Sequence, residues 1–335
     1  MDAKENLIQA LTRGAPERVP HQYEPTWNRL AYDGAHPQDW AVGAVFFDHW
    51  GVGWERAEDD WGATPFPVVH PLADPAKLAT YKPPNPDDAG MTRVMEGLRE
   101  ADKLHLGHLP LGPFDRAWAL AGMDNFLVMA LTDIDSARLI VEMVTDYTVR
   151  MSRRLVRAGL EMCWLTDDYG TERALMMSPE IWRALFKPAL AEIFSVWEDA
   201  GRIVGLHSCG AVGAIVGELV EIGLDVLHPV QASCNDAAAL KARWGDRLSF
   251  WGGVSSRVLL EGTPDDVRRE TIRMMGALGP GGGYVCGQDQ TMPYPEENIA
   301  ALADAVERLG AYPLNLPDVS AADGGREKEP VTPRV

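Results

Sequence analysis

The chain has 335 residues, with 31 Lys and Arg against 49 Asp and Glu, a formal net charge of −18. At 46% hydrophobic and 24% charged residues it has the composition of a globular protein with a sizeable core, which excludes wholesale disorder. So acidic a chain repels phosphate backbones and anionic lipid, which excludes nucleic acid and membrane surfaces as primary partners and favours small molecules or a basic protein face.

The opening segment, MDAKENLIQALTRG, mixes Asp2, Lys4 and Glu5 into its first residues and lacks the uninterrupted apolar core of a signal peptide. Nowhere do about 18 apolar residues run together. A cytoplasmic protein without a membrane span is therefore expected. Cys163, Cys209, Cys234 and Cys286 are too sparse for a disulfide framework and read as reduced thiols or metal ligands.

Taken in chain order, Val19–Tyr23 and a run near His49–Trp54 are the first predicted strands. The Trp-, Pro- and Asp-rich stretch over residues 50–86 has little helical periodicity and predicts decorating loops and short strands. From Leu104–Leu109 onward, short apolar runs alternate with helical patterns. Ala137, Ile140, Val144, Tyr147, Met151 and Leu155 fall at spacings of three and four, one buried helical stripe. Met162–Thr166 follows as a strand, and Ser178-Pro179-Glu180 then offers an N-cap, a proline at the first helical position and an acid in the first turn. Ile203–His207, Asp225–His228 and Leu248–Trp251 are further strands, Thr263-Pro264-Asp265-Asp266 starts another helix, and Gly283–Cys286 is the last strand.

Eight parallel units predict a (β/α)8 TIM-type barrel occupying residues 1–315 as one domain. The doubly wound alternative lacks its GxGxxG signature. Residues 316–335 read as a disordered tail; the last fifteen hold three acids and three bases, so the net charge belongs to the folded body.

Active sites of such barrels lie where the strands end. That filter selects Asp167 and Asp168, His207 and Cys209, His228, Gly252 and Gly253, and Cys286. His207-Ser208-Cys209 places an imidazole and a thiol where one ion could meet both, a ligand set suited to zinc; by itself the pair also reads as a satisfied histidine and a buried thiol. Cys286, ending a later strand, is expected to face the same mouth, leaving a fourth position open as in catalytic zinc sites. Cys163, within a strand, and Cys234, in a loop, read as inert thiols.

The segments DDYGTERALMMSPEIWRALFKP, GLHSCGAVGAIVGELVEIGLDVLHPVQ, LKARWGDRLSFWGGVSSRVLLEGTPDDV and GGGYVCGQDQTMPYPEENIAAL together resemble the uroporphyrinogen decarboxylase superfamily, in particular its cobalamin-linked methyltransferases. The early ENLIQALTRGAPERVP is similar to that superfamily's opening. The resembling pattern is H-x-C followed by a distant Cys-Gly, and here Cys286 lies 77 residues after Cys209. The resemblance implies a (β/α)8 barrel, with His207, Cys209 and Cys286 as zinc ligands by position. It also implies methyl transfer between a small substrate and a corrinoid cofactor carried on a partner protein, with zinc as Lewis acid.

Two departures matter. The decarboxylases carry an R-Q-A-G-R motif near the N-terminus, whereas EPTWNRLAYDG has only Arg29, too little cation for a substrate bearing many carboxylates. Asp48 matches the decarboxylase aspartate only loosely and reads as a loop carboxylate. Some relatives supply a glutamate as fourth zinc ligand; here Asp168 takes that role or acts on substrate, unless Asp167 and Asp168 only form a turn. Gln288 and Asp289 stand where they could orient a ligand, and His228 reads as a core or loop histidine. Trp27, Trp40, Trp50, Trp54 and Trp61, five of the eleven tryptophans, crowd the early segment, as core or as a surface for an aromatic or cationic methyl donor. The competing functions are a metal-free decarboxylase-type lyase and a silent barrel that binds a corrinoid or partner.

Overall fold

A computed structural model describes residues 1–35, 41–56 and 65–319. Trp40, Trp61 and most of the expected tail lie outside the described residues. The strands are β1 (Trp27–Leu30), β2 (Val45–Phe47), β3 (Gly53–Glu55), β4 (Phe66–Val69), β5 (Leu104–Leu109), β6 (Met162–Thr166), β7 (Ile203–His207), β8 (Val226–His228), β9 (Ser249–Val254) and β10 (Tyr284–Gln288). Seven of them form a curled parallel sheet in the order β1-β5-β6-β7-β8-β9-β10. β2, β3 and β4 form a separate antiparallel sheet.

Two expectations need correction. Val19–Tyr23 is not a strand: its one ladder contact is His21 with Cys286, where Pro20 O accepts from Cys286 N and Gln22 N donates to Cys286 O. The first strand of the parallel sheet is Trp27–Leu30, whose polar Asn28 and Arg29 hide the alternation that would mark it. Pro20 interrupts the earlier run by removing a donor. The run near His49–Trp54 contributes only β3, which belongs to the antiparallel sheet. One N-terminal stretch thus reaches both edges of the large sheet, β10 through residues 20–22 and β5 through β1.

Successive strand residues alternate between two apolar layers, as the period of two requires. Leu104, Leu106, Met162, Trp164, Val226, Trp251 and Val285 fill the concave face with Leu7, Ala10 and Leu11 of the Ala3–Leu11 helix. Cys163, Leu165, Val204, Leu206, Leu227, Phe250, Tyr284 and Cys286 pack on the helix side. The first helix closes the N-terminal end of the sheet, where Ser249 Oγ donates to the carbonyls of Ala10 and Leu11. The expected helix starts are present: Ser178 caps the Pro179–Glu198 helix, and Thr263 with Asp266 forms a capping box on Pro264–Leu278. The buried stripe from Ala137 to Leu155 lies on the Ile134–Ala158 helix.

Candidate metal centre

β6 and β7 run side by side with Thr166 opposite His207, so the loops that follow them leave the sheet together. His207 shares the concave face with Ile203, two turns of the pleat earlier, so its ring stands over the mouth of the curl. The loops after β6 and β7 then press backbone on backbone. Gly210 has φ +84°, and a Cβ there would sit 2.3 Å from Gly170; one on Gly170 would sit 2.6 Å from Ala211 N. Any side chain at either position would wedge the loops apart. Their closeness places Asp168 Oδ1 2.8 Å from the Cys209 N–H that it accepts and 3.6 Å from His207 Nε2. Cys209 Sγ lies 3.3 Å from the same Nε2. One oxygen, one nitrogen and one sulfur donor therefore lie within 4.8 Å of one another.

Asp167, Asp115, Gln231 and Asn235 hold this trio, and of these only Asp167 was singled out by the sequence. Asp167 is not a simple turn residue: its buried carboxylate accepts from Phe114 N, Asp115 N and Tyr169 Oη at the N-terminus of the Pro113–Ala121 helix. Asp115 accepts the N–H of Asp168 and the indole N–H of Trp118. Burial pushes both carboxyls above the ordinary range, and the Asp168 charge adds to this at both, with Asp167 adding to it at Asp115. On the other side Gln231 accepts from Gly210 N, and Asn235 bonds Gly210 O and Gly213 N, fixing the Cys209 loop.

His228 is not an isolated core histidine. Its Nδ1 lies 2.7 Å from His207 Nδ1. Burial lowers the pKa of both imidazoles, and the Arg29 charge adds to this; Asp168 opposes it at His207. Burial and the Asp168 carboxylate hold the Cys209 thiol well above its ordinary pKa, so without a cation it keeps its proton.

Cys286 does not join these residues. It sits on β10 between inward-facing Val285 and Gly287, so its side chain belongs to the helix-side layer beside Tyr284. β10 runs two residues past Cys286 to Gln288, and the pleat turns the Cys286 side chain outward, so it neither ends the strand nor faces the mouth. Burial pushes its thiol up to about 12. Cys163 is buried in the same layer, and Cys234 lies in a loop with its sulfur against Gln231 O. Asp289 is occupied by Ser256, whose N–H and hydroxyl it accepts, while buried Gln288 Oε1 has no hydrogen-bond partner among the described residues. Trp50 and Trp54 are core: Arg116 lies over both rings, 5.2 and 6.0 Å from their centroids, and pairs with Asp48. Asp48 also accepts from Trp50 N, Val52 N and the Trp54 indole, which leaves no carboxylate lone pair free for a pyrrole.

Chemically, the trio offers a cysteine sulfur, an imidazole and a carboxylate, a donor set that fits zinc better than magnesium or calcium. Among proteins of known function, the methylcobamide:CoM methyltransferase MtaA of Methanosarcina barkeri is 28% identical over 199 residues, 58% of this chain and 55% of that protein. A uroporphyrinogen decarboxylase of Psychromonas ingrahamii is 34% identical over 76 residues, 22% of this chain and 21% of its own length. The chain thus spans about half the length of the methyltransferase it matches. A solved methyltransferase from Methanosarcina mazei, 20% identical, superposes over 91% of this chain and 98% of its own with a TM-score of 0.71, a likeness of fold. The family model described as uroporphyrinogen decarboxylase (URO-D) matches residues 51–309, most of the sequence, and the chain belongs to that family.

Proposed function

We propose that the protein is a zinc-dependent methyltransferase that moves a methyl group between a small substrate and a corrinoid carried on a partner protein. The observation that carries the metal half of this reading is the convergence of Asp168, His207 and Cys209. Likeness to the methylcobamide:CoM methyltransferase supports the methyl and corrinoid half. Residues 20–22 along β10 support reading the curled sheet as a (β/α)8-type barrel, one domain over residues 1–315, with one strand reduced to a bridge. No described helix is long and apolar enough to cross a membrane, and the four cysteines are free, in keeping with a cytoplasmic protein.

His207 Nε2, Cys209 Sγ and the Asp168 carboxylate would hold the ion. Bound zinc supplies Lewis-acid charge, which favours the ionised form of a substrate thiol or polarises a leaving oxygen. The chain's part is to orient those donors. The Cys209 N–H fixes the Asp168 carboxylate, and the Gly170–Gly210 contact fixes its distance from the thiol. The Asp48 arrangement and the single Arg29 weigh against a tetrapyrrole decarboxylase.

The test is anaerobic. Protein purified without chelators is expected to carry about one zinc per chain. Mixed with methylcob(III)alamin and thiols, or with Co(I) corrinoid and methylated donors, it should shift the cobalt spectrum, faster with a cognate carrier. A cobalt spectrum unchanged by every pairing, even with corrinoid proteins from the same cells, would overturn the reading, and coproporphyrinogen formed from uroporphyrinogen would install the lyase. Cys286→Ala is expected to retain the wild-type zinc stoichiometry by elemental analysis, because its sulfur lies on the other face of β10; loss of the metal would return Cys286 to the ligand set.

A further inference from the structure

We infer that His228 is a positioning residue that sets the tautomer of His207, an assignment that rests on the proposed metal centre. His207 and His228 end neighbouring strands in register, so their rings stand side by side, centroids 4.8 Å apart and planes 34° apart. Their Nδ1 atoms are 2.7 Å apart. A contact that short between two ring nitrogens holds one proton, donated by one ring and accepted by the other.

The direction of that proton decides what His207 can do on its other side. If His228 donates, the neutral His207 ring carries its own proton on Nε2, pointed at Cys209 Sγ and Asp168 Oδ1. A cation could not then use that nitrogen. If His207 donates from Nδ1 and His228 accepts, Nε2 presents a lone pair to the same two groups, and the three donors face one point. His228 is held in place to serve as that acceptor: its side chain is buried against Trp164 at 4.9 Å and Trp251 at 6.2 Å between ring centroids. That packing holds the ring where its Nδ1 meets His207.

Metal-bound histidines generally need such a partner on the second ring nitrogen, and its loss weakens metal binding about 10–100-fold. His228→Phe keeps the aromatic volume but removes the acceptor, and zinc affinity by chelator competition is expected to fall by that factor. His228→Gln offers an amide oxygen and should recover much of the loss. A residue that only filled space would leave affinity unchanged in both folded variants. A second readout needs no variant: long-range 1H–15N correlation on the zinc-loaded wild type should show the Nδ1 proton on His207 and a bare Nδ1 on His228. Wild-type affinity in folded His228→Phe, or a proton assigned to His228 Nδ1, would overturn the inference while leaving the metal centre standing. A wild-type protein that takes up no zinc would overturn the metal centre and this inference with it.

Discussion

Cys209→Ser is expected to lower zinc affinity by at least about 100-fold, the upper end of what an outer partner is worth, because it removes the only sulfur donor of the centre. A serine hydroxyl is a harder and far less acidic ligand than a thiol, so the site loses the donor that distinguishes zinc from magnesium. The same residue makes uptake depend on pH. In the absence of a cation, burial and Asp168 hold the Cys209 thiol protonated, so zinc must displace its proton. Lower pH favours the thiol and opposes zinc, by about tenfold per pH unit for one displaced proton. Competition with a chelator across a pH series reads both effects. Affinity unchanged by Cys209→Ser, or independent of pH, would remove Cys209 from the centre. Cys234→Ser, on the same rim, is the control and should leave zinc bound.

Asp48→Ala is expected to destabilise the fold by about 3–5 kcal/mol in denaturant unfolding, the cost of leaving one member of a buried ion pair alone. The side chains of Arg116 and Asp48 are 4% and 8% exposed. Arg116 lies against two indoles, so without Asp48 its guanidinium stays in an apolar surround with its charge unmatched. The two backbone amides and the Trp54 N–H that Asp48 accepts lose their partner as well. Asp48→Asn keeps an acceptor for the turn and should cost less. A loss below about 1 kcal/mol in Asp48→Ala would mean that the pair behaves as an exposed one.

The strands from β5 to β10 were legible because parallel strands buried on both faces read as apolar runs bounded by turn residues. β1 was not, since Asn28 and Arg29 break its run while Trp27 and Leu30 do the packing. His207, Cys209 and Asp168 were legible from their place at strand ends. Cys286 shows the limit: its strand was found but runs on to Gln288, and the face it takes depends on the parity of a single residue, which Val285 settles only once the concave cluster is seen. His228 and Asp115 are partners across neighbouring units, and nothing local in HPVQ or PFDRAW announces what they touch. Asp48 and Arg116 illustrate the same limit, since their bond joins a loop to a helix across 68 positions.

The contact between residues 20–22 and β10 has a bearing on how the chain comes to be folded. Pro20 and Cys286 stand 266 positions apart, yet share a hydrogen bond. Bringing such distant points together costs about 5 kcal/mol of chain entropy by loop-closure scaling, which the first contacts must offset before neighbours add theirs. During synthesis the Ala3–Leu11 helix emerges before the strands it packs on. Until β10 has left the ribosome, Leu7, Ala10 and Leu11 have only part of their floor, and β9 presents an unpaired edge. Between the emergence of β1 and that of β10 the sheet stays open, so the order of its strands sets how long that edge is exposed.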